Sequence, residues 1–398
     1  MKKWLMASVA LGLTATGALA GSHATEAKIG VILGFTGPIE SLTPMMADSA
    51  ELAMKEVNES GKFLDGVTLV PVRADSTCVD SAAATAAAER LVTTDGVVAI
   101  MGADCSGVTG AILANVAVAN GIPMVSPSAT SPALSTAEDN GLFFRTAPSD
   151  ARQGVVLAEI LKARGINEVA VTYSNSDYGK GLADSFAAAY AEMGGSITLN
   201  APHEDNKADY SAEIAALASA GGEALMVLGY ADSGGRGMIQ ASVDTGAFDV
   251  FGLGDGMYGD ALVDALGGSM EDSFGAVPWS EGDGADAFKT ITDAAGINGE
   301  SSFTRESYDA AALIALAMAK GGEATSAAVA ANLLDVANAP GEPILPGELG
   351  KALEILAAGG DIDYVGASSV ELIGPGEAAG SYRYYEIKDG GYSTVEFK

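Results

Sequence analysis

From Ile29 to Leu253, short apolar runs alternate with stretches of helical length and period, and this alternation constrains the fold more than any other feature of the chain. Ile29–Leu33 is followed by Met45–Asn58, Thr68–Ala74 by Ala82–Leu91, and Val97–Met101 by Val108–Ala119, with Met124 and Val125 closing the set. Runs this apolar are suited to strands buried on both faces, and helices between them make parallel neighbours reachable. An α/β fold with a parallel sheet covered by helices is the expectation.

A second series begins after Asp150, alternating Val155–Lys162, Val169–Tyr173, Leu182–Ala191, Ile197–Leu199, Ala212–Ala220, Leu225–Leu228, Met238–Val243 and Val250–Leu253. With 398 residues, the chain exceeds the ~250–300 that one core organises, so two similar lobes are expected. The later segments do not make a third lobe. Phe274–Val277 reads as a short strand and Arg305–Lys320, Ser326–Asn338 and Leu349–Ala358 as helices, while Ser381–Phe397 reads as a hairpin turning at Lys388–Gly391. No solenoid period or long linker separates the halves, which predicts several short crossings between lobes. Ala310–Ala319, bounded by Asp309 and Lys320, is too short to span a bilayer and is expected to be a buried helix.

The N-terminus has the form of an export leader: Lys2 and Lys3, an apolar stretch from Trp4 to Leu19, then Ala18, Leu19 and Ala20. Cleavage is expected after residue 20, with a second option after Ala24, and the product is expected to be soluble in the periplasm. The net charge of −31 argues against nucleic acid as a partner and favours a dissolved monomer. It also means that an anionic ligand needs local donors. In an exported chain, the pair Cys78 and Cys105 favours a disulfide, two buried free thiols being the alternative. Closing that loop of about 28 residues is worth roughly 3 to 4 kcal/mol in the chain-entropy account.

Two loops carry the chemistry. GADCSG at Gly102–Gly107 and SPSATS at Ser126–Ser131 place small and hydroxyl residues where a strand ends and a helix starts, leaving backbone N–H groups free for an anion. N-capping is the competing role for Ser106 and Thr130, and the two roles are compatible. Catalytic signatures are missing from the sequence. His203 lies in the polar stretch PHEDNKAD, no Walker A or G-x-S-x-G pattern occurs, and no histidine pair has metal-ligand spacing, so no catalytic, metal or cofactor site is expected. Gly254, Gly256 and Gly259 satisfy G-x-G-x-x-G, but at the end of the second series rather than at a first strand, so a glycine-rich turn holding Asp255 is the better reading.

Taken together, IGVILGFTGPIE at Ile29–Glu40, the cysteine pair, SPSAT, SNSDYGKG at Ser174–Gly181, GYADS at Gly229–Ser233 and ESYDAAALIALA from Glu306 resemble the type I periplasmic solute-binding proteins of ABC importers, in particular those for branched-chain amino acids. The resemblance implies two Rossmann-like lobes joined by a three-strand hinge, here residues 27–147 with 278–365 and residues 148–277 with 366–398. It implies that Ser106 and the Thr130 N–H hold a ligand carboxylate. The Ser128 carbonyl, the Thr130 hydroxyl and Asp255 would meet the ammonium, Ala129 would lie within the same loop, and Tyr178 and Tyr230 would close over the ligand. A membrane permease is the implied partner. The family's usual glutamate is Asp255 here, one methylene shorter, so a moved loop, a bridging water or a ligand without an α-amino group remain open. Thr36–Leu42 is expected to form part of the side-chain pocket, with Glu40 solvated or turned inward. A ligand-sensing receptor component and an importer protein for other small carboxylates or amides are the alternatives.

Overall fold

The computed structural model describes residues 25–398; the expected leader and its two expected cleavage sites fall outside them. Two seven-stranded sheets organise the chain. The first contains β1 (Glu26–Leu33), β2 (Thr68–Asp75), β3 (Ala99–Gly102), β4 (Met124–Ser126) and β5 (Phe143–Pro148), in the order β5-β4-β3-β1-β2. The second repeats that order with β6 (Glu168–Ser174), β7 (Ser196–His203), β8 (Ala224–Leu228), β9 (Phe251–Leu253) and β10 (Phe274–Pro278). All these neighbours pair in parallel. β11 (Glu342–Ile344) and β12 (Ile362–Tyr364) form a separate two-stranded parallel pair.

The first lobe is built around the helix Thr304–Gly321, in which every residue from Thr304 to Met318 is buried. Its apolar run packs against Thr43–Ser60 on one side and Ser326–Ala337 on another. Thr43–Ser60 presents Met46, Ala47, Ala50, Ala53, Met54 and Val57 inward at helical spacing, starts with a proline in its first turn, and stops at Gly61 in the left-handed region. Asp309 is a polar anchor inside this packing. It accepts hydrogen bonds from the Tyr364 hydroxyl, the Ala367 and Ser368 N–H groups and the Ser368 hydroxyl, fixing the turn after β12.

The chain passes between the sheets three times. It leaves the first after β5, returns after β10, and crosses again before β15 (Tyr382–Lys388), which pairs antiparallel with β10 and with β16 (Gly391–Phe397). One boundary differs from the sequence reading, which assigned 366–398 to the second lobe. β13 (Leu372–Ile373) and β14 (Glu377–Ala378) extend the first sheet beside β5, so the third crossing falls after Ala378. Strands of two residues leave no periodic signal. What holds β14 in place is Glu377, whose carboxylate meets the buried Arg145 of β5.

Candidate ligand-binding site

In a sheet ordered 2-1-3-4-5, the chain turns to opposite sides after the first and third strands, opening a crevice at their carboxyl ends. Each lobe has such a crevice, and the predicted residues come from the loops that border them. Ser106 follows β3 and Ser128 follows β4; Tyr178 follows β6, Tyr230 follows β8 and Asp255 follows β9. These five residues line a single cavity. Ala129 and Thr130 are buried beside Ser128 but are not part of its wall.

The first-lobe half is a set of loops tied to one carboxylate. Asp104, 1% exposed, accepts from the Gly34 N–H at 2.6 Å, the Ser76 hydroxyl at 2.9 Å and the Cys105 N–H at 3.0 Å, while its carbonyl accepts from the Ser128 hydroxyl at 3.1 Å. Burial pushes its carboxyl up, and those donors pull against the rise. Next to it, Cys78 and Cys105 are joined in a disulfide with Cα atoms 5.2 Å apart. Gly102 is required at the preceding turn: φ is +126°, and a Cβ would lie 2.2 Å from the Ile32 carbonyl oxygen. Ser106 then opens a helical run that continues to Asn120, with π-type turns at 113–117. Its hydroxyl accepts from the Ser131 N–H at 3.1 Å and so joins the two loops.

Arg145, 1% exposed, sets the position of SPSATS from behind, donating at 2.9 Å to the carbonyls of both Ala129 and Ser131. Nothing in its sequence neighbourhood announces this role. The Thr130 hydroxyl is buried with no hydrogen-bond partner, so its capacity is unspent.

In the second-lobe half, Asp255 is 1% exposed; its Oδ1 accepts from the Tyr178 hydroxyl at 2.5 Å and from the Gly256 N–H at 2.9 Å. Gly256 is confined by the Gly229 carbonyl, 2.6 Å from where a Cβ would stand. Tyr178 and Tyr230 pack with ring centroids 5.1 Å apart. Burial first, then the charge of Asp255, holds the Tyr178 phenol protonated and therefore donating.

A second carboxylate that sequence reasoning missed lies close by. Asp150, the first residue of the helix Asp150–Ala163, is fully buried, and neither oxygen makes a hydrogen bond of standard geometry. Burial and the nearby charge of Asp255 raise its carboxyl well above the ordinary range, and Thr130 and Arg145 offset only part of this. Burial likewise raises Asp255, against the hydrogen bonds of Tyr178, Gly256 and Gln153. Two buried acids so coupled resist ionising together, and a cation placed between them would relieve both.

Asp104, Cys105 and Gly256 also border the cavity, and its apolar part is Ile39, Leu42, Met46 and Phe303. Phe303 is held at φ +60°, an uncommon conformation for a bulky residue, at the start of the central helix. Glu40 is exposed and does not enter the cavity. The space open to the centre of a water molecule is about 30 Å3, above the ~10–15 Å3 needed by one water. The loop that supplies Ile39 and Leu42 also bridges the lobes: the Ser41 N–H donates to the Asp232 carboxylate at 2.9 Å, and the Asp232 N–H donates to the Pro38 carbonyl at 3.1 Å. Among the described residues, no cluster of side chains is suited to a metal ion, and no helix is long and apolar enough to cross a membrane.

A fold of two doubly wound lobes, three crossings and a cavity lined from both defines a solute-binding protein of the type I periplasmic class. The periplasmic binding protein family matches residues 26–349, and the chain belongs to it. Members and relatives of this kind bind solutes and are not enzymes. Leu/Ile/Val-binding protein homolog 3 of Brucella melitensis is 34% identical over 236 residues, 58% of this chain and 61% of that relative. A chemotactic signal transduction substrate-binding protein of Halobacterium salinarum, BasB, is 28% identical over 92% of this chain and 88% of its own. Among solved structures, LivJ of Streptococcus pneumoniae in complex with isoleucine superposes with a TM-score of 0.77 at 23% identity, covering 94% of this chain and 99% of that one. A solute-binding protein of Rhodopseudomonas palustris in complex with p-hydroxybenzoic acid superposes at 0.75 with 17% identity, covering 94% and 97%.

Proposed function

We propose that this protein captures a small aliphatic amino acid, of the branched-chain type, in the cleft between its lobes and presents it to the membrane permease of an ABC importer. On this reading it works in the periplasm as a monomer after loss of its leader, and closing of the cleft is the response to ligand. Ser106 and the N–H groups of SPSATS take the carboxylate. Asp255, with the Ser128 carbonyl, takes the ammonium, and Thr130, behind the wall, is left out of the ligand's direct contacts. Ile39, Leu42, Met46 and Phe303 take the side chain.

The observation that carries the reading is the buried Asp255 carboxylate on the cavity wall, since the wall's other acid, Asp104, already accepts from Gly34, Ser76 and Cys105. A zwitterion entering such a cavity must have both charges met, and a benzoate-type acid would leave Asp255 without a cation. A sensing role has support from the likeness to BasB. It uses the same ligand and differs in the membrane partner.

The test is a calorimetric panel of leucine, isoleucine, valine, their deaminated acids and 4-hydroxybenzoate. The amino acids should bind and the deaminated acids should fail. Tight binding of a deaminated acid or of 4-hydroxybenzoate would overturn the assignment of Asp255.

A further inference from the structure

In a chain with 52 acidic residues and 21 basic ones, a buried arginine without a carboxylate partner is an exception, and Arg383 of β15 is one. It is 8% exposed and, among the described residues, belongs to no ion pair. Its one hydrogen-bond partner is neutral, the Tyr258 hydroxyl, and its Nε–H has none. Arg305 of the helix Thr304–Gly321 lies close to it, 6% exposed, with Nε–H also unpartnered and a single pairing, at 2.9 Å, to Glu300, which is half exposed. Both guanidinium groups stack on the indole of Trp279, with carbons 3.7 Å (Arg305) and 4.3 Å (Arg383) from the ring centroid. Trp279 is the residue at which the chain crosses back from the second sheet. The three residues border a cleft of about 520 Å3, separate from the amino acid cavity.

Two cations drawn together on one ring repel each other, and Arg383 accordingly disfavours the charged form of Arg305, below burial in effect. Stacking on an indole offsets part of the cost of burying a cation and leaves the in-plane N–H groups unspent. Both arginines line one cleft, and planar guanidinium forks are the groups suited to an oxyanion. We propose that this cleft binds a small oxyanion, sulfate, phosphate or a short carboxylate, between Arg305 of the first lobe and Arg383 of the second. Glu281, Asp286 and Glu300 on the cleft wall oppose it, and the attraction of the two guanidinium groups that must outweigh them weakens as salt rises. The anion bridges residues of both lobes, which ties its occupancy to the angle between them.

The test follows the arginine Nε–H resonances of the 15N-labelled full chain while sodium sulfate, sodium phosphate or sodium acetate is titrated against sodium chloride at matched ionic strength. The signals of Arg305 and Arg383, assigned by Arg305→Gln and Arg383→Gln, should move along one saturating curve, while that of the exposed Arg90 does not. Whichever salt saturates identifies the oxyanion. In Arg383→Lys, which keeps the charge and the fold but not the planar fork, the curve of Arg305 should weaken at least tenfold. Shifts that stay linear and common to all arginines for all three salts would overturn the proposal, as would an unchanged curve in Arg383→Lys.

Discussion

On the proposed reading, Asp255 decides what the cavity accepts, because it is a buried acid whose hydrogen bonds from Tyr178 and Gly256 do not cancel the cost of its burial. Its raised carboxyl sets the sign of the pH response. A bound ammonium favours the ionised form, so affinity for an amino acid should fall as pH drops through the raised carboxyl range, and binding should release protons. Calorimetry in buffers of different ionisation enthalpy measures that release directly. Asp255→Asn should abolish it and cost about 2–5 kcal/mol of affinity, as removing one side of a buried charge pair does. Ser106→Ala should weaken every carboxylate ligand alike by about 1–2 kcal/mol, since it removes a hydroxyl and also leaves the Ser131 N–H without its acceptor. A change confined to side-chain preference would show that Ser106 faces the other end of the ligand. At this scale, the residues legible in the sequence were those on loops at strand ends. Arg145 and Asp150 were not, because their meaning comes from residues far along the chain, as with Arg145 and Glu377, 232 positions apart.

Among the elements, the central helix Thr304–Gly321 carries the largest electrostatic burden. Glu306, 4% exposed, is pushed up to about 8 by burial, and Asp309 to about 6 despite its four hydrogen bonds. A carboxyl whose folded value lies above its unfolded one stabilises the fold at low pH and loses that contribution as pH rises through the folded value. Thermal stability should therefore decline from about pH 5 to pH 8, at up to about 1.4 kcal/mol per pH unit for each such group. Glu306→Gln should raise the melting temperature at pH 8.5 and leave it nearly unchanged at pH 5; calorimetric melts across that range check it. The helix itself was plain in the sequence, as was the alternation that makes both sheets, because continuous apolar runs and 3.6-residue spacing survive without knowledge of partners. β5 stood outside that alternation and β14 is two residues long, so the edge of the first sheet, and with it the third crossing, was not legible.

For the whole molecule, all covalent links between lobes are three short crossings, and the loop at Pro38–Ser41 fastens the other lip of the cleft to Asp232. Removing that fastening leaves the ligand contacts intact. Asp232→Ala should therefore favour the open form, seen as a larger radius of gyration in small-angle scattering, and raise the dissociation rate of the ligand by about tenfold, with the order of preference among amino acids preserved. An altered order would mean that the loop selects side chains as well as closing on them. The chain has two tryptophans, Trp4 and Trp279, and Trp279 is the one among the described residues. It sits at a crossing, against one arginine from each lobe. If the cleft closes on ligand as proposed, the fluorescence of this one indole, sensitive to the approach of those two cations, should report the motion of the lobes in real time without any attached dye.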